Sequence, residues 1–123
     1  MKQPDIIMAY KTIQKYENER LPMKISYALH KTRVLLQTQW DFQAEREQAL
    51  LEKYQPEFTK DGMQFKDEDT AKQFAAEFQK EMNEMAELDV DLGSFNKPTV
   101  PLSDDVQLTV DDIATLEPFI EFV

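Results

Sequence analysis

The stretch EFTKDGMQFKDEDT, residues 57–70, holds a chain reversal and a helix start back to back. Asp61-Gly62 reads as the centre of a two-residue type I′ hairpin turn, because both central residues of that turn need positive φ, which Asp and Gly tolerate. In that register Lys60 faces Met63 and Phe58 faces Phe65, which puts both Phe side chains on one face of the ribbon beside Met63. A cross-strand aromatic pair of this kind adds a few tenths to about 1 kcal/mol. A two-stranded ribbon is marginal on its own, so this one is expected to pack on helices. Asp67 then reads as a helix N-cap, and Glu68 and Asp69 suit the positive end of the helix that follows.

Both flanks of this stretch read as helix. Downstream, Ala71, Phe74, Ala75, Phe78, Met82 and Met85 form an unbroken apolar stripe, with Glu77, Glu81 and Glu84 beside it. The plain reading of the stripe is core; the alternative is an adaptable partner groove. Upstream, residues 23–54 read as one helix of about 50 Å. Ile25, Leu29, Leu36, Trp40, Leu50 and Tyr54 share one face of it, and Gln43 and Glu47 interrupt that face. The segment DFQAEREQA is therefore expected to project past the core or to meet a partner through polar contacts. Pro56 lies where the helix must stop.

The ends of the chain complete the pattern. Residues 4–19 read as a first helix with Pro4 in its first turn and Ile6, Ile7, Tyr10, Ile13 and Tyr16 as its stripe. LDVDL (88–92) alternates apolar and acidic residues as a half-buried strand does, and Gly93 ends it. Val106, Leu108 and Val110 alternate again. Thr109 and Asp112 resemble a capping box opening the short helix VDDIATLE, and FIEFV is an apolar segment expected to dock on the core. The fold class that follows is α+β and helix-dominated: two or three helices, one of them long, on a small antiparallel sheet built from the ribbon and the strands near 88–92 and 106–110.

The totals fit a single domain over residues 1–123. Hydrophobic content of 41% with eight Phe, four Tyr and one Trp is that of a chain with a core. No cysteine is present, which excludes disulfides, thiolate metal sites and a Cys nucleophile, and fits a reducing compartment. No apolar run approaches the ~20 residues of a membrane span. Net charge is −10 and lopsided: residues 1–55 carry nine Lys/Arg against seven Asp/Glu, residues 56–123 five against seventeen. Such a surface repels nucleic acid and attracts basic proteins. Plain solubility accounts for it equally well.

Little in the chain points to chemistry. His30, the only histidine, has no second histidine to share a metal and no evident orienting partner. Asp89-Val-Asp91-Leu-Gly93 begins like a calcium loop, but its glycine falls one position early and Val100 stands where the closing Glu belongs. Asp104-Asp105 and Asp111-Asp112 are neighbours, which do not share a helix face and so suit caps and turns. No phosphate-binding loop, nucleophile elbow or zinc-protease motif occurs. The chain is expected to be no enzyme and to take no cofactor or metal.

The order LPMKISYALHKTRVLL, EREQALLEKY, an Asp-Gly hairpin, FAAEFQKEMNEMAELDVDL and an acidic LTVDDIATLEPFIEF is similar to a family of short uncharacterised proteins. Phages and prophages of Gram-positive bacteria, chiefly Firmicutes, encode them. The resemblance runs from about residue 20 onward and carries no catalytic or metal motif. It implies a mobile-element origin, and so the host cytoplasm or a virion.

The expected function is an inhibitor of a host defence enzyme acting on nucleic acid, such as a CRISPR nuclease. Its carboxylates would stand in for phosphates as a DNA mimic does. The residues expected to meet that basic partner are Asp67, Glu68, Asp69, Glu77, Glu81, Glu84, Asp89 and Asp91, with Gln43 and Glu47. The competing expectation is a phage structural or assembly protein (a minor virion component, adaptor or chaperone) that self-associates as a homo-oligomer through the long helix.

Overall fold

The computed structural model describes residues 1–102 and 108–123. The described residues form a helix-dominated α+β fold in which four helices accompany two small two-stranded sheets. Helix α1 spans Gln3–Gln14 and carries Pro4 in its first turn, where a missing N–H costs nothing. It ends earlier than the stripe suggests, and residues 15–18 continue only as turns. Tyr16 nonetheless reaches the core.

Helix α2 spans Met23–Tyr54, as its apolar spacing predicts. Pro22 bounds it on one side. On the other, Gln55 precedes Pro56, whose ring disfavours a helical residue before it, and Gln55 turns to φ 45°. Helix α3 spans Glu68–Glu87; the Asp67 carboxylate caps it by accepting the Thr70 N–H at 2.7 Å. Helix α4 spans Val110–Leu116, and the Thr109 hydroxyl accepts the Asp112 N–H at 3.1 Å, the capping contact expected from the sequence.

One core joins the two ends of the chain. Ile6, Ala9 and Ile13 from α1 meet Ile25, Ala28, Leu29 and Leu36 from α2, and Leu116, Phe119 and Ile120 close over them. Tyr10 stacks on Trp40 with ring centroids 4.6 Å apart, and its hydroxyl donates to Gln37 Oε1 at 2.7 Å. The FIEFV segment docks as expected. Its residues Glu121–Phe122 (β4) pair in parallel with Thr99–Val100 (β3), two residues held between Pro98 and Pro101.

A buried polar knot ties α1 to α4. The Asp112 carboxylate accepts from the Lys15 ammonium at 2.8 Å and from the Tyr16 hydroxyl. Burial pushes the Asp112 carboxyl up, but the hydrogen bonds from Lys15, Tyr16 and Thr109 outweigh it and hold the group below the usual carboxylate range. Burial, reinforced by the Asp112 charge, pushes the Tyr16 phenol up to about 12.

The strands depart from the sequence reading in four places. The ribbon pairs Glu57–Thr59 (β1) with Gly62–Gln64 (β2), and its register sets Phe58 opposite Met63 and Thr59 opposite Gly62. Its turn is therefore Lys60-Asp61, one residue earlier than expected. Only Gly62, at φ 106°, has the positive φ that a type I′ turn would also require of Asp61. The ribbon does not pack on the helices as expected: each residue of both strands is exposed, and just beyond them Phe65 reaches α3, 5.0 Å from the Phe74 ring. LDVDL contributes a single antiparallel bridge, Lys2 to Asp89, in place of a strand. Val110 opens α4, and Val106 lies outside the described residues.

Candidate partner-binding surface

The core cluster contains no residue between Trp40 and Val90. The second half of α2, the ribbon and α3 therefore form an arm beyond it, as the polar segment DFQAEREQA suggests. Leu50, Phe74 and Met85 are its buried side chains, and Phe74 takes the edge of Tyr54 at 5.7 Å. Residues 41–87 carry thirteen Asp/Glu against six Lys/Arg, a net charge of −7 out of the whole chain's −10.

The apolar stripe of α3 is only partly used as core. Phe74 and Met85 are buried, whereas Phe78 and Met82 are 37% and 39% exposed. Phe78 and Met82 line a narrow cleft with Gln43, Glu47, Leu50 and Met85. The structure thus brings Gln43 and Glu47, the residues that interrupt the α2 stripe, to the uncovered part of the α3 stripe. Gln43 is half-buried there and Glu47 is exposed. The interruption marks the place where two helices meet without sealing.

The acids divide into three groups. Along the middle of α3, Glu77 and Glu81 turn toward α2. Lys53 Nζ lies 2.6 Å from Glu77, and this contact holds the Glu77 carboxyl below its usual range. Arg46 Nε donates to Glu81 at 3.0 Å, and the same carboxylate raises the guanidinium further. These two acids meet cations of their own chain. Glu84 is exposed beside them, on the rim of a shallow cleft lined by Arg46 and Lys80.

At the N-terminus of α3, Asp67 is committed to its cap, Glu68 lies 3.6 Å from Lys72, and Asp69 is exposed. Beyond the C-terminus, Asp89 pairs with Lys2 at 3.1 Å, and Asp91 accepts the Gly93 N–H at 2.8 Å. At about 1.5 Å per residue, the 20 residues of α3 hold these two end groups about 30 Å apart. The eight acids are not one patch. The structure assembles Glu81 with Gln43, Glu47, Phe78 and Met82 in one cleft, sets Glu84 with Glu77 and Glu81 along another, and leaves the two ends separate.

Three further exposed apolar side chains lie outside this cleft and were missed from the sequence: Phe42 on α2, and Phe58 and Met63 on the ribbon. Phe58 and Met63 carried a signal, since a lone ribbon with one apolar face either docks or displays it. His30 is exposed on α2, at a cleft that also holds the Arg33–Glu17 ion pair of 3.0 Å. Among the described residues, no group of three His, Asp or Glu side chains could hold a metal ion. No helix of the described residues is long and apolar enough to cross a membrane.

Fold and surface together define a helix-dominated α+β protein with a negatively charged two-helix arm whose apolar stripe is incompletely covered. No family model matches the chain, and neither a curated protein nor a solved structure matches it.

Proposed function

We propose that this chain is a non-catalytic binding protein of phage or prophage origin. Its arm occupies the basic channel of a host enzyme that acts on nucleic acid, and so inhibits it. The observation that carries this reading is the partly exposed Phe78–Met82 stripe within a segment of net charge −7. Its fitting occupant is a protein surface that offers both Lys/Arg side chains and apolar contacts, as a nucleic-acid channel does. Glu77 and Glu81 are already paired within the arm, so mimicry of a phosphate row by carboxylates alone is the weaker form of the idea. Apolar anchors in the centre with Gln43 and Glu47 at the rim is the stronger one. The protein then works where the host enzyme does, in the cytoplasm.

The test begins with capture of partners from host lysate at low and at high salt, identified by mass spectrometry. A captured nucleic-acid enzyme is then assayed with the wild-type chain and with Phe78→Asp/Met82→Asp. The expected result is inhibition by the wild type, relief by excess nucleic acid, and loss of both capture and inhibition in the variant. An enzyme that binds its nucleic acid equally well with the chain attached, or a variant that still inhibits, overturns the reading.

A further inference from the structure

The side of α2 turned away from Ile25, Leu29, Leu36 and Leu50 is exposed along almost the whole helix, and its chemistry is ordered. Lys24, Tyr27, Lys31 and Val34 occupy it before Thr38, and Phe42, Glu45, Ala49 and Glu52 after it. Tyr27, Val34 and Phe42 are 58%, 60% and 44% exposed and fall in line along this face. The successive spacings of three and four residues are those of a helix–helix seam. Among the described residues, none of Lys24, Lys31, Glu45 and Glu52 has an ion-pair partner.

The face is complementary to itself when reversed. Two copies of α2 laid antiparallel with Thr38 at the two-fold axis set Val34 against Phe42, Lys31 against Glu45, Tyr27 against Ala49 and Lys24 against Glu52, each pair equidistant from residue 38. The two-fold repeats each contact, so four ion pairs flank an apolar centre. A parallel pairing would set Lys24 on Lys24 and Glu45 on Glu45, which repel. The ends of the seam are shaped as well as charged: Lys24, Tyr27 and Lys31 face Pro98, Pro101 and Val123 across a trough of about 450 Å³, where the partner's Ala49 and Glu52 arrive.

We propose that this chain forms an antiparallel two-fold dimer through the outward face of α2, with a second copy as the occupant. The seam lies across α2 from the Phe78–Met82 cleft and borders the shallower Glu77–Glu84 cleft only at Ala49, so the dimer presents two arms. The proposal stands apart from the identity of any host partner.

The chain has no cysteine, which allows a direct geometric test by crosslinking the full chain under mild oxidation. Thr38→Cys should crosslink with itself. Tyr27→Cys should not, but should crosslink with Ala49→Cys when the two variants are mixed. Light scattering and sedimentation then follow charge reversal. Lys24→Glu/Lys31→Glu and Glu45→Lys/Glu52→Lys should each weaken the dimer at least about tenfold. Mixing the two variants, or joining all four changes in one chain, should restore it. Unchanged circular dichroism shows that each variant folds. A wild type that stays monomeric at the highest concentration it tolerates overturns the proposal. So does self-crosslinking of Tyr27→Cys as efficient as that of Thr38→Cys, or a mixture of the two charge variants that fails to associate.

Discussion

Replacing Asp112 by Ala should cost this fold about 2–4 kcal/mol at pH 7. The figure follows from what the carboxylate holds. It is 5% exposed and accepts from the Tyr16 hydroxyl, which is also buried. Hydrogen bonds to a charged group contribute about 1.5–3 kcal/mol, and a buried donor left without an acceptor costs about as much. The Lys15 contact at 2.8 Å adds at most about 1 kcal/mol, because the lysine side chain is largely in solvent. For a domain of this size, each kcal/mol lowers Tm by about 4 °C, so the melt should shift by about 10 °C.

The pH dependence has a definite sign. The Asp112 carboxyl is held below its ordinary range in the folded protein. Its contribution is therefore complete above the unfolded value of about 3.9 and is lost as pH falls through the lower folded value. Urea unfolding followed by circular dichroism at pH 7 and at pH 3 should show Asp112→Asn less stable than wild type at pH 7, with the gap narrowing at pH 3. Tyr16→Phe added to Asp112→Ala should cost little more than Asp112→Ala alone, since one contact underlies both. A loss below about 1 kcal/mol, a gap that does not change with pH, or strict additivity of the pair would refute the reasoning.

Phe119→Ala should be the more severe core change, at about 3–5 kcal/mol by urea titration, because the ring is 1% exposed at the centre of the cluster. Gln3→Met should raise the urea midpoint slightly: the Gln3 side chain is fully buried with Oε1 unpartnered, and its Nε2 donates only to the Gln39 carbonyl at 3.2 Å. Gly62→Ala should disturb the ribbon amides in NMR spectra, since φ 106° strains any side chain. It should leave the melting of the core nearly unchanged, because the ribbon touches that core nowhere; a cooperative loss of Tm would show that the ribbon is integral to the fold.

The long helix was legible because prolines bracket it and its apolar spacing persists for most of 32 residues. The start of α3 was legible because an Asp cap is a local event. The ribbon's register was not. Asp61-Gly62 fits a type I′ turn by composition, but an equally short loop one residue earlier also uses the glycine, just after the turn. The β3–β4 pair was invisible, because two residues between prolines show no periodicity and a parallel partner 22 residues away leaves no local trace. Of the candidate surface, Gln43 and Glu47 could be read as a broken stripe. That Glu77 and Glu81 turn toward Lys53 and Arg46 depends on how α2 and α3 rotate against each other, which spacing within one helix does not specify.

The knot between Tyr16 and Asp112 spans 96 residues of chain, and the side chains that seal the core, Leu116, Phe119 and Ile120, come after it. Helix-rich proteins usually fold early and fast because their contacts are local. This one must wait for residue 120 to leave the ribosome. At about 5–20 residues per second, α1 has been made on the order of 5–20 s before its cover arrives. During that interval α1 and α2 can pair, but the parts of Ile6, Ile13 and Leu36 that Leu116, Phe119 and Ile120 cover lie open to solvent.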